Sequence, residues 1–103
     1  MSGWMVPEAL RRRWTLRIGD SRTLLPDLLG ALGHVDVFLH DSDHCHENMR
    51  FEFDQAFPRL ADRGVLMSDD VHLHTAWDDF CAERDLRPTR IGHLGVTRER
   101  SRP

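Results

Sequence analysis

Acidic side chains follow two short apolar segments of this chain at the point where each segment ends. The first segment, 35–39, is followed by Asp41 and Asp43, and the second leads into the pair Asp69 and Asp70. Apolar runs bounded in this way are typical of buried parallel strands, which carry their chemistry at their carboxyl ends. Two such strands joined by a helix would bring the four carboxylates to one edge of a sheet. This edge is the predicted functional site.

Carboxylates gathered at one point can all stay ionised only if a positive charge lies among them. Several oxygen ligands in one place suit a hard divalent cation such as magnesium or calcium. We therefore predict that Asp41, Asp69 and Asp70 are metal ligands. The alternative is that these residues end strands and cap helices, which aspartate often does. Spacing alone leaves both interpretations open.

Histidines cluster near the same two segment ends, namely His40, His44, His46, His72 and His74. An imidazole within reach of a substrate hydroxyl can act as a general base, because its pKa lies near neutrality. His44 is the candidate catalytic residue, since it directly follows the first acidic pair. For each histidine the alternative is a surface or capping role. A zinc site has weaker support, because no HExxH or similar fixed spacing accompanies these residues.

Hydrophobic periodicity indicates the elements that must position these side chains. Strands are predicted at 14–18, 35–39 and 65–68, with one or two weaker strands within 89–96, and helices at 23–32, 46–60 and 75–84. This alternation predicts an α/β fold with a mainly parallel sheet of three to four strands and flanking helices. We expect 16–18 to pair with 35–39 through a right-handed crossover, or else to detach or pair with another chain.

Composition restricts the class of protein. A chain of 103 residues forms at most one domain, and its formal charge of −3 predicts no nucleic-acid or membrane partner. No apolar stretch reaches the roughly 20 residues that span a bilayer, and the N-terminus has no signal-peptide core. Cys45 and Cys81 are far apart and have no CxxC spacing, so we expect a reducing, cytoplasmic location.

Three stretches of the chain, 16–29, 35–44 and 60–71, together resemble class I S-adenosylmethionine-dependent methyltransferases. The closest branch is the small-molecule O-methyltransferases of the catechol and macrolide-sugar type. In that branch one strand ends in DxDH, and a motif LxxGGxxxxDD follows one helix later. The resemblance runs from about residue 16 to residue 81. Arg63 departs from it, because it replaces the first glycine of the later motif.

The resemblance implies a donor site and a reaction. Gly19, Asp20 and Ser21 match the turn beside the adenine of S-adenosylmethionine, and Asp41 joins them among the cofactor-binding positions. The implied reaction is in-line transfer of a methyl group from a sulfonium to the hydroxyl oxygen of a small-molecule substrate. Alignment of donor and acceptor would supply much of the acceleration.

The resemblance also implies a metal and a base. Asp41, Asp69 and Asp70 match the Mg²⁺ ligands of the cation-dependent members, and His44 matches the histidine of DxDH. A metal there would orient the acceptor hydroxyl and lower its pKa.

The glycine-rich turn and the strand-end acid that hold the donor in this family have no counterpart in the chain. We divide the chain into a lead segment 1–13, a partial methyltransferase domain 14–97 without the first two strands, and a tail 98–103. This predicts an inactive part of a methyltransferase, with a second copy or a complementing N-terminal half as its partner. A non-catalytic remnant that binds a metal or a partner through an open sheet edge is the alternative, and a metal-dependent hydrolase is the third hypothesis.

Overall fold

A computed structural model describes residues 7–99, in which helices and strands alternate along the chain. Parts of the predicted lead segment (1–6) and tail (100–103) lie outside the described residues. The helices are α1 (Glu8–Arg11), α2 (Ser21–Leu32), α3 (His46–Ala56) and α4 (Ala76–Glu83), and the strands are β1 (Val35–His40), β2 (Leu60–Ser68), β3 (Thr89–Ile91) and β4 (Leu94–Thr97). Helix α3 ends where Pro58 begins a short 3₁₀ helix, Phe57–Arg59. From α2 onward the chain therefore has the predicted order of helices and strands.

The four strands form one sheet in the order β1-β2-β4-β3. Strand β1 pairs with β2 in parallel, through the crossover that contains α3, and β4 pairs antiparallel with both β2 and β3. Gly92, with φ of 63°, lies in the tight turn that joins β3 to β4, where a positive φ is needed. The α/β class, the four strands and the flanking helices are confirmed. Parallel pairing is confined to β1 and β2, because a short hairpin supplies the last two strands.

The predicted pairing of the first strand is wrong. Residues 14–18 form no strand, and Trp14, Leu16 and Ile18 are exposed. The physical reason is that this segment lies along the helix that follows it. Leu16 and its neighbours line one cavity with Leu28 and Leu32 of α2, so the segment lies beside that helix and not beside β1.

One hydrophobic core lies between the sheet and helices α2, α3 and α4. Phe53 of α3 is in its centre, with ring centroids 5.5 Å from Trp77 and 5.3 Å from Phe80 of α4. The other face of the sheet is open among residues 7–99. Val37 and Leu39 point to that face and are 60% and 53% exposed. The sheet is thus covered on one side only.

The turn before the straight part of β2 explains the departure at position 63. Arg63 has φ of 65°, a left-handed conformation that glycine adopts without the cost of roughly 1–2 kcal/mol borne by other residues. Gly64 cannot be replaced as easily, because a Cβ there would lie 2.8 Å from the carbonyl oxygen of Ala61. At position 64 the second glycine of the motif is therefore required by steric contacts. At position 63 a glycine would only lower the energy of the backbone conformation.

Gly95 of β4 lies against the indole of Trp77, so Gly95→Ala tests the packing of α4 on the sheet. The added Cβ would lie 2.5 Å from Cε2 of this buried ring. We expect the free energy of unfolding, measured by urea denaturation, to fall by roughly 1–3 kcal/mol. Gly30→Ala on the exposed side of α2 is the matched control, since nothing lies within 4 Å of its Cβ position. It should leave stability unchanged or raise it by up to about 1 kcal/mol. Equal effects of the two substitutions would contradict this packing.

The two cysteines should differ in reactivity, because Cys81 is buried in α4 and Cys45 is exposed. Burial raises the pKa of the Cys81 thiol to about 11. At about pH 8 a thiol reagent should therefore label one cysteine in the folded protein and two in guanidinium chloride. The unfolded thiol ionises at lower pH than the folded one, so stability should fall as the pH rises through the ordinary thiol range toward 11. Rapid labelling of both thiols in the folded protein would contradict this assignment.

Candidate functional site

The parallel pair β1 and β2 brings two acidic loops to the same edge of the sheet. His40 is paired with Ser68 at the ends of the two strands, and the N–H of Asp69 donates to the carbonyl oxygen of His40 at 2.9 Å. Asp41 therefore leaves β1 at the level where Asp70 follows β2. Asp70 has φ of 52°, a left-handed conformation that aspartate tolerates better than most residues.

His44 lies between the two carboxylates. Its Nε2 is 3.7 Å from Oδ1 of Asp41 and 3.6 Å from Oδ2 of Asp70. The imidazole is mostly covered, while the carboxylates of Asp41 and Asp70 are 57% and 37% exposed. Ligand-type atoms of these three residues all lie within 4.8 Å of one another. Three of the four residues predicted for catalysis and metal binding are thus brought together.

Asp69 has a different environment. Its Oδ1 accepts a hydrogen bond from the N–H of Asp70 at 2.9 Å, which is a turn-stabilising contact. Among the described residues the group with metal-binding geometry consists of Asp41, His44 and Asp70, without Asp69. The structure therefore groups His44 with two of the three predicted ligands.

The turn predicted to contact the donor lies at the start of α2. Asp20 caps this helix, since its Oδ1 accepts from the N–H of Arg22 at 3.0 Å. The next residue, Ser21, donates from Oγ to Oδ1 of Asn48 in α3 at 3.4 Å. Because Asn48 also contacts the loop after β1, the turn 19–21 is linked to the acidic loop through one side chain. The hydrogen bonds of this turn do not depend on Gly19 contacting a ligand. The predicted role of Gly19 in donor binding therefore stays a prediction.

Two buried polar residues of α3, Asn48 and Glu52, were missed by the sequence analysis. Oε2 of Glu52 accepts from Oγ of Ser42 at 2.6 Å and from Nδ2 of Asn48 at 3.0 Å. A signal for them was present, because positions 48 and 52 are one turn apart and adjoin Met49 and Phe53 on the same helix face. Polar residues beside an apolar stripe indicate a buried hydrogen-bonded pair.

The other histidines near the strand ends have separate surroundings. His40 is fully buried, packs edge-on against the rings of His44 and Phe53, and lies 3.4 Å from Oγ of Ser68 through its Nδ1. Burial lowers the pKa of His40, so the neutral imidazole is favoured. His46 contacts Asp79 at 3.4 Å. Neither side chain is part of the group formed by His44 and the two carboxylates, although His40 touches the ring of His44.

His72 stacks on His93 with ring centroids 3.8 Å apart. A hydrogen bond from Oγ1 of Thr75, followed in strength by one from His46, lowers the pKa of Asp79. These pairs connect the loop and helix after β2 to the turn between β3 and β4 and to the start of α3. Of the five histidines, only His44 is part of the described cation-type group.

The donor set is chemically suited to a divalent cation. Ligands on one such ion at about 2.1 Å lie within about 4.2 Å of each other, so small side-chain rotations would bring atoms now within 4.8 Å into range. Two carboxylates favour Mg²⁺ or Mn²⁺, and an imidazole ligand would shift the preference toward Mn²⁺ and later transition metals. The residues therefore fit the group that the resemblance implied.

A comparison with protein families gives the class of the chain. Residues 2–71 match the family described as a methyltransferase domain. Because the match covers more than half of the 103 residues, the chain belongs to this family. The comparisons with curated proteins and with solved structures found no match. The matched region ends just after Asp70, so it contains the whole candidate site.

No helix among the described residues is both long and apolar enough to cross a membrane.

Titration with Mn²⁺ or Mg²⁺ tests which carboxylates bind a cation. Calorimetry should show weak binding that Asp70→Asn and Asp41→Asn each reduce by about tenfold, the effect of roughly one lost charge-assisted contact. Asp69→Asn is the matched control, because its amide oxygen can still accept from the N–H of Asp70. We expect it to change affinity by less than about threefold. A larger loss for Asp69→Asn than for Asp70→Asn would favour the set inferred from the resemblance.

Proposed function

We propose that this methyltransferase domain acts on a small-molecule hydroxyl with S-adenosylmethionine as donor and with assistance from a divalent cation. The observation that supports this proposal is the position of His44 between Asp41 and Asp70 at the end of the family match. Carboxylates and an imidazole at the carboxyl ends of two parallel strands can hold a cation and accept a proton beside it. Cation-assisted O-methylation uses both operations.

Each residue has a role in this proposal. Asp41 and Asp70 hold the cation, and His44 accepts the proton of the acceptor hydroxyl at Nε2. A bound Mg²⁺ or Mn²⁺ would supply Lewis acidity toward the hydroxyl oxygen. Asp69 supports the turn that carries Asp70 rather than the cation itself.

The donor would lie against the turn formed by Gly19, Asp20 and Ser21. Its link through Asn48 to the loop after β1 supports a donor position beside the acidic loop. The chain has no glycine-rich turn for the methionine part of the donor and no strand-end acid for the ribose. We infer that the 103-residue chain alone is inactive and that further strands are needed for donor binding.

The partner in this proposal is a second copy of the chain or a complementing N-terminal half. Two observations support a partner of this kind. Strand β1 has no neighbour on its outer edge among the described residues, and the face with Val37 and Leu39 is uncovered. Parallel sheets normally have both faces covered, and open edges invite a further strand. Two free cysteines agree with a reducing, cytoplasmic setting.

A second candidate is a non-catalytic protein that binds a partner or a metal through the same features. The open edge of β1 favours it. A metal-dependent hydrolase has less support, because nothing among the described residues fixes a water-activating geometry.

Equilibrium dialysis with labelled S-adenosylmethionine tests the donor part of the proposal. We expect no measurable binding to the isolated chain, since each missing charge-assisted hydrogen bond weakens binding by roughly 1.5–3 kcal/mol. No methyl transfer should accompany it. Micromolar binding by the isolated chain would contradict the inferred incompleteness and would make the turn 19–21 sufficient for the donor. Asp20→Ala, which removes the helix cap, would then show whether that turn carries the affinity.

A further inference from the structure

Helix α3 contains a buried carboxylate that accepts hydrogen bonds from uncharged polar groups and also interacts electrostatically with the buried His40. Glu52 is 4% exposed, and no arginine forms an ion pair with it among residues 7–99. One of its oxygens, Oε2, accepts from both Ser42 and Asn48, at 2.6 and 3.0 Å. Burying a carboxylate is costly unless hydrogen bonds compensate for the lost water. An apolar side chain beside Phe53 would avoid this cost, so the carboxylate needs a further explanation.

The two hydrogen-bond donors connect Glu52 to the acidic loop. Ser42 immediately follows Asp41, the first candidate ligand. Asn48 donates from Nδ2 to the carbonyl oxygen of Asp43 at 2.9 Å, one residue before His44. Ser42 and Asp43, the two residues between Asp41 and His44, are therefore both held by hydrogen bonds. Both attachments converge on a single oxygen of Glu52.

Asn48 extends the same network to the other end of the site. Its Oδ1 accepts from Oγ of Ser21 at 3.4 Å, in the first turn of α2. Asn48 is itself 5% exposed, so these bonds are made largely out of contact with water. The bonds of 2.6–3.0 Å in these surroundings are strong and rigidify the loop, whereas the contact with Ser21 is long and adds less. One face of α3 thus supports the acidic loop and the turn at the start of α2.

We propose that Glu52 is a positioning residue, which holds the loop 41–44 through Ser42 and Asn48 and thereby sets the spacing of Asp41 and His44. The functional importance of this spacing rests on the proposed function. The support of the loop by Glu52 does not, because it is a property of the folded chain alone. Glu52 does not touch the substrate or the cation. Its effect on them passes through the loop backbone.

Two substitutions separate the hydrogen bonds from the bulk of the side chain. Glu52→Gln keeps an oxygen that can accept from Ser42 and Asn48, whereas Glu52→Leu removes the acceptor and keeps a similar volume. Glu47→Leu is the matched control, because Glu47 is an exposed carboxylate on the same helix. Ser42→Ala removes the shortest bond from the loop side, where the core is not disturbed.

Hydrogen exchange of the loop amides is the first measurement. The N–H of Cys45 donates to Oδ1 of Asp43 at 3.1 Å, so its protection reports the order of the loop. We expect Glu52→Leu to raise its exchange rate by about tenfold and Ser42→Ala to raise it by about threefold, while the amide of Leu66 in β2 stays unchanged. Glu52→Gln and Glu47→Leu should stay close to the wild type.

Titration with Mn²⁺ is the second measurement. Glu52→Leu should weaken binding by about tenfold and Glu52→Gln should restore it to within about threefold of the wild type. In one outcome the wild type binds no Mn²⁺, but Glu52→Leu still exchanges faster than the wild type at Cys45. This result would support the positioning role and reject the cation part of the proposed function. An unchanged exchange rate in Glu52→Leu and Ser42→Ala would overturn the positioning role. Equal acceleration at Cys45 and Leu66 would also overturn it, because it would show a general loss of stability.

Discussion

The candidate site depends on the parallel pairing of β1 with β2. Their register places His40 level with Ser68, and the backbone bond from Asp69 to His40 continues the pairing by one residue. Two loops therefore leave the sheet at the same height and on the same edge. An antiparallel pair would have sent Asp41 and Asp70 to opposite ends of the strands.

Helix α3 connects β1 to β2 and so makes their parallel pairing possible. Two neighbouring rows of residues on its surface have different roles. Met49 and Phe53 bury apolar surface against the sheet and α4, which supplies most of the stabilisation. Asn48 and Glu52, beside them, hydrogen-bond to the loop after β1. Helix α3 thus anchors β1, β2 and the loop that follows β1. A single rotation of α3 about its axis would disturb the core and the loop together.

Among the described residues, helices cover only one of the two faces of the sheet. Helices α2, α3 and α4 cover one face, while Val37 and Leu39 expose apolar surface on the other. The extended segment 14–18 has no strand partner, and neither does the outer edge of β1. The part of the chain that carries the acidic loops is well packed, and the part expected to receive the donor is open.

Local patterns in the sequence determined the α/β order, the segments that became β1 and the end of β2, and the helices that carry the apolar stripe with Phe53. Residue types alone also marked Asp41 and His44 as chemically significant. These features follow from short-range periodicity and from abrupt changes of polarity, which depend on neighbours in the chain. The carboxylates were therefore predicted at the correct edge of the sheet.

Only the tertiary structure decided the remaining features. The segment 14–18 lost its predicted pairing because it lies beside Leu28 and Leu32 of α2, which leaves the outer edge of β1 open among the described residues. Asp70, and not Asp69, turned toward His44 because its backbone is left-handed, a choice set by the loop that follows β2. Glu52 acquired its partners from a loop ten residues away in the sequence. Strand pairing, backbone handedness and buried hydrogen bonds each depend on groups that meet only when the chain has folded.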